Sequence, residues 1–82
     1  MISTEDIRKY MRNELLNSRI QFHLTQEEMA EKLGISLRNY INLEHGKSLM
    51  SSITLINYIN HLNIDKDKFF SDLAEIIDNS YD

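Results

Sequence analysis

The chain has 82 residues, 41% of them apolar and 27% charged, with no cysteine and no proline. That length allows one domain with a modest core, and the lack of cysteine excludes disulfides and thiolate metal sites. Nine bases against thirteen acids give a net charge of −4, which at first sight argues against a nucleic-acid partner.

The acids are unevenly spread. Asp72, Glu75, Asp78 and Asp82 lie in a stretch from Ser71 onward that holds no base, and residues 1–70 carry nine bases and nine acids. A neutral body with an acidic tail can still hold a polyanion if its bases share a face, with a smaller salt dependence than a strongly basic domain. Charges run throughout residues 1–20, so neither a signal peptide nor a membrane span is expected, and a cytoplasmic protein fits.

Helical periodicity dominates, and the expected fold class is all-α, a compact five-helix bundle in one domain over residues 1–82. The first helix is expected from about Thr4 to Phe22, with Ser3 and Asp6 at its start. Ile7, Met11, Leu15, Ser18 and Phe22 recur on one face, widened by Tyr10, Leu16 and Ile20. Thr25 and Glu28 form a capping box for the second helix, and Leu24 before them can staple onto Met29. Met29, Ala30 and Leu33 make its buried stripe, and Gly34 supplies the left-handed residue that ends it.

Ser36 can cap a third helix running to about His45 and closed by Gly46. At 100° per residue, Tyr40, Leu43 and Glu44 gather on one side of it. Arg38, Ile41, Asn42 and His45 gather on the other, with Leu37 and Asn39 on the borders. Ser51 can cap a fourth helix with Leu55, Ile56, Ile59 and Leu62 inward, and Asn63 can turn left-handed after it. His61 is expected half-buried at its end, and His23 at a loop or edge. Asp65 can start a fifth helix whose stripe is Phe69, Phe70, Leu73, Ile76 and Ile77; with the tail it makes an acidic segment over residues 65–82.

Two short helices joined by a tight turn, about residues 25–45, leave the second with one apolar face and one free hydrogen-bonding face. That is the arrangement needed to lay a helix in the DNA major groove. These residues resemble the phage lambda repressor/Cro-type helix-turn-helix family, often termed XRE-like. The family pattern L-x-Q-x-x-x-A-x-x-x-G, then a hydrophobic residue and serine, is matched by Leu24, Gln26, Ala30, Gly34, Ile35 and Ser36. Its later h-E-x-G-K is matched by Leu43, Glu44, Gly46 and Lys47. The resemblance covers roughly Met11 to Phe70.

The resemblance implies a bundle of four or five helices that binds operator DNA, commonly as a dimer, in transcriptional control. It implies that Gln26 reaches a DNA phosphate and braces the recognition helix, and that Arg19 and Glu44 pair to link the first and third helices. It places Leu37, Arg38, Asn39 and Asn42 at positions that face base edges, and His45 and Lys47 where the backbone is contacted. The chain departs from the family in four ways. Residues 1–10 extend the first helix, Met50 stands for the common proline, Ser52 stands for a core leucine, and the tail is acidic.

The chemistry suits those positions. Arginine can bond both acceptors of guanine and asparagine can bond adenine, each good bidentate contact giving about 1–3 kcal/mol of discrimination. Arg38 and Asn42 lie four apart on one face, so both could reach neighbouring base pairs. Ile41 could touch a thymine methyl or cover a groove between helices. On the fifth helix, two adjacent phenylalanines do not fit one narrow stripe. Phe70, with Ile76, Ile77 and Tyr81, is therefore a candidate dimer surface, whose pairing would set two recognition helices about 34 Å apart.

His23, His45 and His61 have no metal-ligand spacing, and no phosphate-cradling glycine loop is present. No enzyme activity, cofactor, metal or small-molecule ligand is expected. The expected function is sequence-specific double-stranded DNA binding as a transcriptional regulator, a homodimeric repressor, with residues 37–45 as the recognition helix. The rival is a protein-interaction module or antitoxin-like partner binder that keeps the fold with weak or no DNA binding.

Overall fold

Four of the five helices of the protein start where the sequence supplies a cap. In a computed structural model, which describes residues 4–80, the helices are α1 (Thr4–Gln21), α2 (Gln26–Leu33), α3 (Leu37–Glu44), α4 (Ser52–His61) and α5 (Lys66–Ser80), with no strand among those residues. The side chains of Thr25, Ser36, Ser51 and Asp65 accept hydrogen bonds from the backbone N–H three residues on, satisfying donors that a helix start leaves free. Around α2 the box is complete, because Glu28 also accepts from the Thr25 N–H at 2.9 Å. The expected starting residue Ser3 and the tail residue Tyr81 lie outside the described residues.

Leu15 of α1, Met29, Ala30 and Leu33 of α2, Tyr40 and Leu43 of α3, Tyr58 of α4, Leu62 after it, and Phe69 of α5 form one buried cluster. Helix α2 packs on α3 and α4, and α1 packs on α3 and α5. The radius of gyration is 12.6 Å, close to the roughly 12 Å of a folded chain this long. At the α1–α5 seam the Tyr10 ring tilts against Phe69 at 5.8 Å, and its hydroxyl donates to Asp72 at 3.2 Å.

Helix α4 turns Leu55, Ile59 and Leu62 toward the core as expected, but not Ile56. Ile56 is 56% exposed, while Thr54 and Tyr58 are buried beside the half-buried Leu55 and Ile59. Both buried polar groups find partners, which removes the penalty that argued against them. The Ser51 hydroxyl donates to Thr54 Oγ1 at 2.9 Å. The Tyr58 hydroxyl lies 2.9 Å from Ser18 Oγ and donates to the Glu14 carbonyl at 3.3 Å. Burial, opposed by the Ser18 bond and aided by the Glu14 charge, pushes that hydroxyl up to about 12, so it stays a donor.

The end of α1 also differs from expectation. Ile20 and Phe22 are exposed; α1 ends at Gln21, and His23 turns the chain with a left-handed φ of 55°. His61 is exposed rather than half-buried, yet its Nδ1 sits 2.7 Å from the Lys32 carbonyl. Asn57 Nδ2 donates to the neighbouring Leu33 carbonyl at 3.2 Å. Thus α4 covers carbonyls that the last turn of α2 leaves free, and so holds the turn leading to α3.

Candidate nucleic-acid interface

The turn between α2 and α3 is three residues long, and each has a defined backbone task. Gly34 adopts φ 71°, ψ 30°, a region costly for a residue with a Cβ. Its N–H bonds back to the Glu31 carbonyl at 3.1 Å, and the Ile35 N–H reaches the Ala30 carbonyl at 3.0 Å. This paired closure is a Schellman motif. Ser36 then caps α3 by accepting from the Asn39 N–H at 3.1 Å. At the other end Gly46, at φ 75°, repeats the closure: its N–H meets the Leu43 carbonyl at 3.1 Å, and the Lys47 N–H meets the Asn42 carbonyl at 2.9 Å. Helix α3 is therefore pinned at both ends.

Its inner side is pinned as well. Tyr40, Leu43 and Glu44 are buried. Glu44, only 8% exposed, receives both Arg19 Nη2 at 2.8 Å and Arg19 Nε at 3.1 Å. Arg19 Nη1 also donates to the Leu24 carbonyl at 3.3 Å, so one guanidinium joins α1, the lead into α2 and the end of α3. Burial raises the Glu44 carboxyl. The Arg19 bonds and charge, with the Tyr40 hydroxyl and the Gln26 amide beside it, outweigh that and hold it below the usual carboxylate range. The Tyr40 hydroxyl is buried without a well-formed hydrogen bond among the described residues, and burial next to Glu44 pushes its pKa upward.

What remains free on α3 is the opposite side. Arg38, Asn39 and His45 are exposed, Leu37 is exposed on its border, and Ile41 and Asn42 are half-buried. Gln26, the first residue of α2, is half-buried next to Glu44, and Lys47 is exposed just past Gly46. Among the described residues none of Lys32, Arg38 and Lys47 is held in an ion pair. The acids of α2 are also exposed, but Glu28 is tied down by its cap: the Thr25 N–H and hydroxyl lower its pKa.

Of the expected dimer residues, Phe70 is 51% exposed, standing edge-on to the buried Phe69, and Ile76 and Ile77 are half-buried. Tyr81 lies outside the described residues. A second apolar surface went unforeseen: Ile53 and Ile56, 73% and 56% exposed, on the outer side of α4. The basic residues of α1 were also passed over. Arg12 lays its side chain against Gly46, where an added Cβ would lie 3.6 Å from its Cδ, and Arg8 and Lys9 line the same cleft. The spacing of Arg8, Arg12 and Arg19, four and seven residues apart, was the signal that could have placed them on one side of the helix.

A family model described as a helix-turn-helix domain matches residues 13–77. No curated protein and no solved structure matches the chain.

Proposed function

Because the chain belongs to the helix-turn-helix family, in its XRE-like branch, we propose that it is a sequence-specific, double-stranded DNA-binding transcriptional regulator acting as a homodimeric repressor in the cytoplasm. The observation that carries this reading is α3 itself. It is capped at both ends, anchored through Glu44, and presents Arg38 and Asn42 four residues apart on its free side. In this reading Arg38 takes the two acceptors of a guanine and Asn42 an adjacent adenine, with Asn39 and Leu37 at the edge of the contact. Gln26, His45 and Lys47 hold phosphates and fix the register without reading sequence.

Such a site needs little conformational adjustment, which limits the ordering cost of binding. With a body of zero net charge and an acidic α5, affinity comes from a few placed contacts more than from a broad positive field. Repression follows if the bound dimer covers a promoter. The rival, an interaction module without DNA binding, draws its support from the net charge of −4.

Selection of bound duplexes from a random pool at low salt, run in parallel on Arg38→Ala, separates the two. Enrichment of a two-half-site sequence that relaxes at one position in the variant supports the operator reader. Absence of enrichment with a folded protein favours the interaction module.

A further inference from the structure

The family match begins at residue 13, and α1 begins at Thr4. More than two turns of α1 therefore precede the matched domain. On them stand Arg8, Lys9 and Arg12, three of the nine bases of the chain. Their placement follows from Arg19. Arg12 lies seven residues before it and Arg8 four residues before Arg12, so all three point to the same side of α1. Arg19 on that side reaches the last residue of α3, and Arg12 reaches Gly46 just beyond. Arg8 then stands one further turn out, about 6 Å along the axis.

Together Glu5, Arg8, Lys9, Arg12, His45 and Gly46 enclose an open cleft of about 250 Å³. Its walls hold three cationic side chains and one histidine against one acid, Glu5. None of the three cations is in an ion pair among the described residues, and each is exposed. Lys47, exposed one residue past Gly46, adds a further positive charge at the same end of α3. Of the other acids, Asp6 and Glu14 also stand on α1, and most of the rest lie on α2 and α5.

We propose that Arg8 and Arg12 form a backbone clamp, which grips duplex phosphates flanking the base pairs beneath α3 and lengthens the footprint beyond the matched domain. The proposal rests on the DNA-binding reading above. Arginine suits the task, since its planar fork can hold two oxygens of one phosphate. The stem of Arg12 already lies against Gly46, which aims its guanidinium along this side of the molecule and limits the freedom lost on contact. The clamp also offsets the shortage of positive charge on the body by adding cations at the end of α3.

The test is fluorescence anisotropy of wild type, Arg8→Gln/Arg12→Gln and Arg8→Lys/Arg12→Lys across a salt series. Two duplexes are used: the sequence enriched from the random pool and a scrambled one of equal length. The glutamine pair is expected to flatten the slope of log affinity against log salt by about 1.8 per protomer, about 0.9 for each lost phosphate contact. Affinity for both duplexes should fall by the same factor, leaving their ratio intact, and the lysine pair should keep the slope. An unchanged slope in the glutamine pair overturns the clamp while wild-type binding upholds the DNA reading. A loss confined to the enriched sequence also overturns the clamp. No duplex binding by wild type overturns both. If the double variant loses its helical signal, Arg8→Gln alone decides, with an expected flattening of about 0.9.

Discussion

The Arg19 guanidinium holds both carboxylate oxygens of Glu44, at 2.8 and 3.1 Å, across 25 residues of chain. A third bond from the same group, to the Leu24 carbonyl, brings the start of α2 into the arrangement. The pair thus positions α3 against both neighbours. Its effect on net stability is a separate matter, because desolvating two charges consumes much of their attraction.

Breaking one side of the pair should be worse than removing both. Arg19→Met leaves Glu44 buried and uncompensated, and is expected to cost about 3 kcal/mol. Arg19→Met/Glu44→Leu should recover a large part of that, since apolar groups of similar volume replace the pair. Urea unfolding of the four-member cycle measures the coupling. A double variant as unstable as the sum of the single ones would show that the two side chains act independently.

The same carboxylate gives the fold an acid-sensitive contact. Its folded pKa lies below the ordinary value near 4.3. The stabilisation is therefore complete above that ordinary value and is lost as pH falls through the lower, folded one. Glu28, also depressed through the Thr25 cap, contributes in the same direction. The difference in unfolding free energy between wild type and Glu44→Gln isolates Glu44. It should be flat above about pH 5 and shrink toward lower pH. A difference that grows on acidification would contradict the assignment.

Gly34→Ala tests the turn. The new Cβ would lie 3.5 Å from Asn57 Nδ2, ordinary contact, so space is not the issue. The cost is the left-handed φ of 71°, about 1–2 kcal/mol for an L-residue. Gly34→Asn should cost less, because asparagine tolerates that region. Thermal or urea midpoints of the two variants give the order, and a milder effect of alanine than of asparagine would refute the backbone argument.

These elements were legible in the sequence to different degrees, for physical reasons. Helix ends were clear because caps are local: Thr25, Ser36, Ser51 and Asp65 act within three residues of themselves. The buried side of α3 was clear because Tyr40, Leu43 and Glu44 share one turn-spaced face. The inward face of α4 was legible only in part: Leu55, Ile59 and Leu62 lie on the core as their spacing predicts, but Tyr58 is buried with polar partners, Ser18 and Glu14, that lie 40 and 44 residues away. Periodicity counts apolar residues and so chose Ile56, which is exposed. The basic side of α1 was missed for a related reason: attention to the apolar stripe ignores the register of the charges beside it. The placement of Arg38 and Asn42 on the outer side of α3 followed from helical geometry, while the bases they would meet in the proposed complex depend on the DNA as well.

The proposed homodimer needs an apolar surface to join its two copies, and two exposed patches compete for it. Phe70 on α5 is 51% exposed and Ile53 on α4 is 73% exposed, so a lysine at either position should leave the protomer core intact. If the dimer forms through α5, Phe70→Lys should turn a dimer into a monomer in sedimentation equilibrium, whereas Ile53→Lys should not. The monomer should still bind a single half-site but lose the tight binding to two half-sites about 34 Å apart. The opposite pattern would move the interface to α4. A wild-type chain that sediments as a monomer, with both variants unchanged, would refute the homodimer and leave each protomer to read its site alone.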